Sequence, residues 1–188
     1  PIYAHIPLIL APDRSKLSKR HGATALTDYR DAGYLPGAII NHLALLGWSS
    51  GDDREVFTLA ELVERFDLSR VQKSGAIFNR EKLDWFNREH LRRLTDEAFL
   101  AAVSAFLPER ERALFAAHES TARALAPLLR ERVTILSDMR TLAEKGELVY
   151  FFEDPVLSEL SKICPKGVTA EDTKRHLAKA VSLLENLQ

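Results

Sequence analysis

The stretch NREKLDWFNREHLRRL, residues 79–94, decides the fold class. Leu83, Phe86, Leu91 and Leu94 recur at spacings that lay them on one helical face, with charged residues on the rest. Asn79 stands where its side chain can accept a backbone N–H of the first turn. Trp85 and Phe86, on this amphipathic segment, read as core rather than as platforms for bases.

The segments before it repeat the pattern. FTLAELVERF, residues 57–66, carries a capping box: Thr58 can cap the amide three residues on, and Glu61 can reach back. Phe57 and Leu62 occupy the staple positions. LPGAIINHLALLG, residues 35–47, has Pro36 near its start and Gly47 past its end, the asymmetry of helix termini. Ile39, Ile40, Leu43 and Leu46 form its expected buried stripe. Only HIPLIL, residues 5–10, has strand character, and APDRS after it is turn chemistry.

After residue 94 the composition shifts to Ala, Leu, Glu and Arg, so a boundary is expected near Leu94–Asp96. Helices are expected over Thr95–Leu107, stopping at Pro108, and over 109–117, 120–132 and 134–149. EDPVLSEL begins another, with Asp154 as cap and Pro155 in the first turn. The last, from Thr169, is expected to bury Leu177, Val181, Leu184 and Leu187. The chain therefore reads as mainly α, a helical array with a short strand and loop at its front.

Composition narrows the function. With 46% hydrophobic residues, the 188-residue chain can bury a core. The net charge of −1 gives no general attraction to nucleic acid, so any such site must segregate its charges. One cysteine, Cys164, rules out an internal disulfide and a four-cysteine zinc site. The six histidines are scattered, and no metal site is expected. No apolar run reaches membrane-spanning length, and no signal peptide is visible. The chain opens on Pro1 and reads as a piece of a longer protein.

One segment stands apart. SKLSKRHGA, residues 15–23, sets Lys16, Lys19 and Arg20 within five positions. Such clusters are ordinarily solvated surface. Here Leu17 sits among the charges and can anchor the loop on a core, and the APD turn and Gly22 make the excursion compact. Positioned lysines suit a polyphosphate, whose oxygens need charge neutralised during phosphoryl or nucleotidyl transfer. Ser18 can add a hydroxyl or a backbone N–H. The loop lacks GxxxxGK[ST] and is no Walker-type cradle.

KLSKR, Lys16 to Arg20, resembles the KMSKS-type signature of class I aminoacyl-tRNA synthetases. HIPLILAPDRSKLSKRHGA, YRDAGYLPGAIINHLALLGWS, GDDREVFTLAELVERFDLSRV and FNREKLDWFN are similar, in order and spacing, to bacterial-type glutamyl-tRNA synthetase. ERVTILSDMRTLAEKGELVYFFEDP resembles the helical anticodon-binding region of that family. The resemblance implies three parts: 1–22, the end of a catalytic domain with the KLSKR loop; 23–94, a stem-contact domain; and 95–188, a helical anticodon-binding domain with its last subdomain cut short. It implies a cytoplasmic, monomeric ligase that activates glutamate with ATP and Mg and transfers it to tRNA(Glu). Lys19 maps onto the family's ATP-contacting lysine, with Ser18 beside it, and Lys16 and Arg20 would assist loop closure. The family's HIGH-type motif is absent, so no aminoacylation is expected from this chain alone.

For tRNA the candidates are Arg70 and Lys73, with Ser74, before a buried segment, and Arg130 and Arg132 near a helix end close to where the family meets the anticodon. Phosphate contacts of this kind position without reading sequence, whereas arginine can read a base edge. Arg88, Arg92 and Arg93 form a further basic cluster, for which a solvated face and a phosphate track both stay open. Ion pairing around Glu131 is the competing role for Arg130 and Arg132. Glutaminyl-tRNA synthetase, with a β-barrel anticodon region, conflicts with the helical periodicity after residue 95. A glutamyl-queuosine-type enzyme lacks such helices altogether. A non-enzymatic helical module binding RNA or protein is the alternative from another class; it would leave KLSKR without a role.

Overall fold

The computed structural model describes residues 3–18, 20, 25–154 and 163–185. The chain divides into two compact units, Pro1–Phe152 and Glu153–Gln188. Among the described residues there are nine α-helices and one pair of two-residue strands.

The first unit begins with β1 (Ile9–Leu10), then α1 (Leu26–Ala32), α2 (Pro36–Leu45) and α3 (Leu59–Arg65). A 3₁₀ turn (Leu68–Arg70) leads to β2 (Ala76–Ile77) and α4 (Arg80–Arg92). Then come α5 (Asp96–Ser104), α6 (Glu109–Ala117), α7 (Glu119–Arg132), α8 (Asp138–Glu144) and a 3₁₀ turn, Val149–Phe151. The second unit contains α9 (Ala170–Glu185).

The capping box at Thr58 and the cap at Asn79 are in place. Thr58 Oγ1 accepts the Glu61 N–H at 3.2 Å, and Glu61 Oε2 accepts the Thr58 N–H at 2.8 Å. Phe57 and Leu62 are buried in one cluster with Trp48. Asn79 Oδ1 accepts the Lys82 N–H at 3.0 Å. The structure adds a cap at Thr95, whose Oγ1 accepts the Ala98 N–H at 3.2 Å. Leu83, Phe86 and Leu91 are fully buried, as the period of α4 requires.

Other expectations are corrected. The front strand is only Ile9–Leu10, and it pairs in parallel with β2, which local sequence did not reveal. Gly75 permits the pairing, because a Cβ there would lie 2.9 Å from Leu10 Cδ1 and 3.0 Å from the Leu8 carbonyl oxygen. Helix α2 buries Ala38, Ile39, Asn41 and His42, while Ile40 and Leu43 are exposed. Helix α5 stops at Ser104, short of Leu107. The helix expected over 134–149 shrinks to α8: Asp138 Oδ2 accepts the N–H groups of Thr134 (2.8 Å) and Ile135 (3.1 Å), holding them in a turn, and Gly146 at φ +72° ends the segment. In α9, Leu177, Val181 and Leu184 are exposed and only Thr173 is buried. Leu187 and the EDPVLSEL helix from Pro155 lie outside the described residues.

The largest core cluster joins α4 to the helices after it. Leu91 packs with Phe99, Val103, Leu129, Met139 and Leu148, and Leu35 and Leu94 lie against them. The first unit thus runs on past Leu94 to Phe152. Among the described glycines Gly33 leaves the least room: at φ +88° it ends α1, its carbonyl accepts the Leu136 N–H at 3.1 Å, and an added Cβ would stand 2.7 Å from Leu136 Cβ. Gly33→Ala should therefore cost about 2–4 kcal/mol, from left-handed strain plus overpacking. Gly146→Ala, at φ +72° with nothing within 4 Å, should lose only the strain part. Urea denaturation checks both; equal losses would show that the Leu136 contact carries no weight.

Candidate functional site

The basic segment is held on a tight turn. The Ala11 N–H donates to Ser15 O (2.8 Å), that of Arg14 to Ala11 O (2.8 Å), and that of Leu17 to Ile9 O (3.2 Å). Asp13 Oδ1 accepts the Ser15 N–H at 2.9 Å, the side-chain closure that makes Asp a turn residue. Lys16 is thereby set opposite Leu10 in an antiparallel bridge. The turn adds a cation that pattern reading passed over: Arg14, exposed, at φ +64°. Lys16 and Arg20 are exposed, Leu17 and Ser18 half-buried. Lys19 lies outside the described residues.

Leu17 anchors the segment. It lines a cavity of about 160 Å³ with Ile9, Leu26, Tyr29, Ile39, His42, Leu43, Phe78 and Leu83. His42 is 4% exposed and its ring meets Phe78 at 5.1 Å and Phe86 at 5.6 Å. Its Nε2 has no hydrogen-bond partner among the described residues. Burial, aided by nearby Lys82, pushes its pKa down to about 4, so the ring is neutral at pH 7.

Beside this cavity lies a polar cluster that local pattern did not reveal. Arg80 Nε donates to Tyr34 Oη at 2.6 Å, and Tyr34 Oη donates to Asp84. The Arg80 guanidinium stacks 5.2 Å from the Tyr29 ring centre and 4.9 Å from that of Tyr34. Burial, then the Asp84 carboxylate, push the Tyr34 phenol up, and it remains a neutral donor.

The other candidate cations fall in three places. Arg70 closes the 3₁₀ turn and its Nη1 donates to Ser50 O at 2.7 Å; Lys73, just beyond, is exposed. Arg130 pairs with Asp96, lies 5.2 Å over the Phe99 ring, and has a side chain 15% exposed. Its Nε is buried without a partner among the described residues. Arg132 pairs with Glu147. Glu131 is taken by Arg92 of α4 at 2.8 Å, not by its sequence neighbours. Arg92 also bonds Glu89 at 2.8 Å, and Arg88 Nη1 reaches Thr134 Oγ1 at 3.4 Å. The structure thus joins the α4 arginines to the end of α7. Among the described residues no group of His, Cys, Asp or Glu side chains could hold a metal ion, and no helix is long and apolar enough to cross a membrane.

Residues 1–85 match the family of class I tRNA synthetases (E and Q), catalytic domain, so the match ends inside α4. Along its whole length the chain is 40% identical to a glutamate–tRNA ligase of Dehalococcoides mccartyi, covering 38% of that protein. The chain belongs to the glutamate–tRNA ligase family. A glutamate–tRNA ligase of Moorella thermoacetica is 44% identical over 165 residues, 80% of this chain and 34% of that protein. The crystal structure of a glutamate tRNA ligase from Elizabethkingia meningosepticum in complex with its amino acid superposes with a TM-score of 0.66 at 32% identity, covering 97% of this chain and 38% of that one. This family member therefore spans somewhat over a third of the length of the relatives it matches.

Because His42 is neutral when folded, protons favour the unfolded chain. Its contribution to stability is complete above about pH 6.5 and declines as the pH falls toward 4. His90, also lowered by burial and by Arg93, acts in the same direction. The His42 part should reach about 3 kcal/mol. His42→Phe should remove it, flattening the difference in unfolding free energy between pH 6.5 and 4; an unchanged slope would refute the assignment.

Proposed function

We propose that the chain is part of an enzyme that joins glutamate to tRNA(Glu), and that it supplies a nucleotide-facing loop and tRNA-facing helices. What supports this reading is similarity along the whole chain to glutamate–tRNA ligases, together with KLSKR beginning on an anchored turn. In the proposed reaction the glutamate carboxylate attacks the α-phosphorus of ATP, forming glutamyl-adenylate and releasing pyrophosphate. A terminal ribose hydroxyl of the tRNA then attacks the acyl carbon, the acyl–phosphate bond breaks, and AMP leaves.

Lys19, with Ser18 beside it, is proposed to neutralise charge that builds on the departing pyrophosphate. A lysine suits this, as a compact charge on a flexible stem. Lys16 and Arg20 would hold the loop closed over the nucleotide, whose Mg ion enters with it as substrate. Leu17 fixes the direction of the segment by its place in the apolar cavity. Residues 1–22, 23–94 and 95–188 would act as catalytic edge, stem contact and anticodon contact of a monomeric cytoplasmic enzyme. The HIGH-type motif is not in this sequence, so the chain by itself is proposed to be inactive.

Arg70 and Lys73 would hold backbone phosphates, and Arg130 and Arg132 would face the anticodon. The two arginines differ in cost. Arg132 holds Glu147 in a part-exposed pair, which exchanges readily for a phosphate or base. Arg130 is packed over Phe99, so its loss also removes packing.

In a protein carrying the complete catalytic half, Lys19→Ala should lower ATP–pyrophosphate exchange by about 10²–10³-fold while leaving tRNA affinity within about twofold. Equal loss of both would reject the assignment. Arg132→Ala should weaken tRNA(Glu) binding by about tenfold and change stability by less than about 0.5 kcal/mol. Arg130→Ala should weaken binding and also lower the urea midpoint. Unaltered affinity and unaltered preference for tRNA(Glu) over tRNA(Gln) in both variants would place the contact elsewhere.

A further inference from the structure

We propose that the cavity beneath the Lys16 turn is a binding site for a small single-ring aromatic alcohol. Its volume of about 160 Å³ is close to that of the engineered apolar cavity of about 150 Å³ that accepts benzene. Most of its lining is apolar: Ile9, Leu17, Ile39 and Phe78 are among its walls. Such a lining rejects a charged ligand, whose hydration it cannot replace.

His42 selects the polar group. It is 4% exposed, lines the cavity, and leaves Nε2 without a partner among the described residues. A neutral imidazole has one donor and one acceptor nitrogen. A hydroxyl both donates and accepts, so one within reach of Nε2 satisfies it in either tautomer. His42 also lines a neighbouring hollow with Glu55, Asn79 and Lys82, and the preference of phenol over toluene reads which of the two Nε2 serves. Leu26 and Leu43, lining residues that are 67% and 45% exposed, form the mouth.

The site joins two parts of the fold. Ile9 and Leu17 belong to the two legs of the turn, linked by the Leu17 N–H to Ile9 O bond of 3.2 Å, and Ile39 and His42 belong to α2. An occupant braces the turn against α2, and with it the segment that carries Lys16.

The test is titration of the 188-residue chain with phenol and with toluene, followed by amide chemical shifts. Phenol should bind about five- to tenfold more tightly than toluene, the worth of one hydrogen bond. The shifts should centre on Ile9, Leu17, His42 and Phe78, and exchange of the Leu17 amide should slow. His42→Phe should abolish the preference for phenol. Leu43→Trp, at the exposed mouth, should abolish binding of both without touching the core. Equal affinities in the wild type, no shifts with either compound, or binding that survives Leu43→Trp would overturn the proposal.

Discussion

The carboxamide of Asn87 is the contact on which the arrangement of the first unit depends. It is fully buried in α4. Its Oδ1 accepts the Leu35 N–H at 2.8 Å, at the entrance to α2, and its Nδ2 donates to Thr134 O at 2.6 Å, just past α7. Leaving a buried amide unpaired is costly, so three separate segments must meet at one point. The neighbouring contacts reinforce it. The Leu136 N–H reaches Gly33 O, Arg88 reaches Thr134, and Asp138 holds the turn between them. The end of α7, with Arg130 and Arg132, is fixed to α2 and α4 by these bonds rather than by apolar contact alone.

Asn41 plays the matching part on α2. Its Oδ1 accepts the Phe57 N–H at 2.8 Å and lies 3.1 Å from His90 Nε2, while its Nδ2 donates to Glu55 O at 2.9 Å. Satisfying this buried amide sets the rotation of α2. Ile39 and His42 then face inward, and Ile40 and Leu43 face outward. The cavity under the Lys16 turn follows from that rotation, since His42 and Ile39 line it.

The charges follow a different logic. A chain of net charge −1 has no spare field to attract RNA, and the arginines of α4 and α7 are mostly held by carboxylates. Exposed pairs of this kind contribute little to stability, typically below about 1 kcal/mol. They keep the guanidinium groups in place yet release them readily to a stronger anion. Arg130, shielded and stacked on Phe99, is the exception, and serves the core as well as the surface.

Local sequence determined the helices whose signals are short-range. The capping box at Thr58 and Glu61, the cap at Asn79, and the apolar period of α4 all act within one or two turns, and the structure keeps them. The order of motifs around KLSKR was likewise enough to mark the family. What the sequence by itself could not decide was which face of α2 is buried, that Ala76–Ile77 would pair with Ile9–Leu10, and that residues 134–137 would form a turn instead of helix. Each is set by partners far away in the chain, as Asn87 is by Thr134, 47 positions on. Burial of a polar group is decided where its partners meet, so Asn41, Asn87 and the His42 nitrogen that has no partner among the described residues became visible only in the tertiary structure.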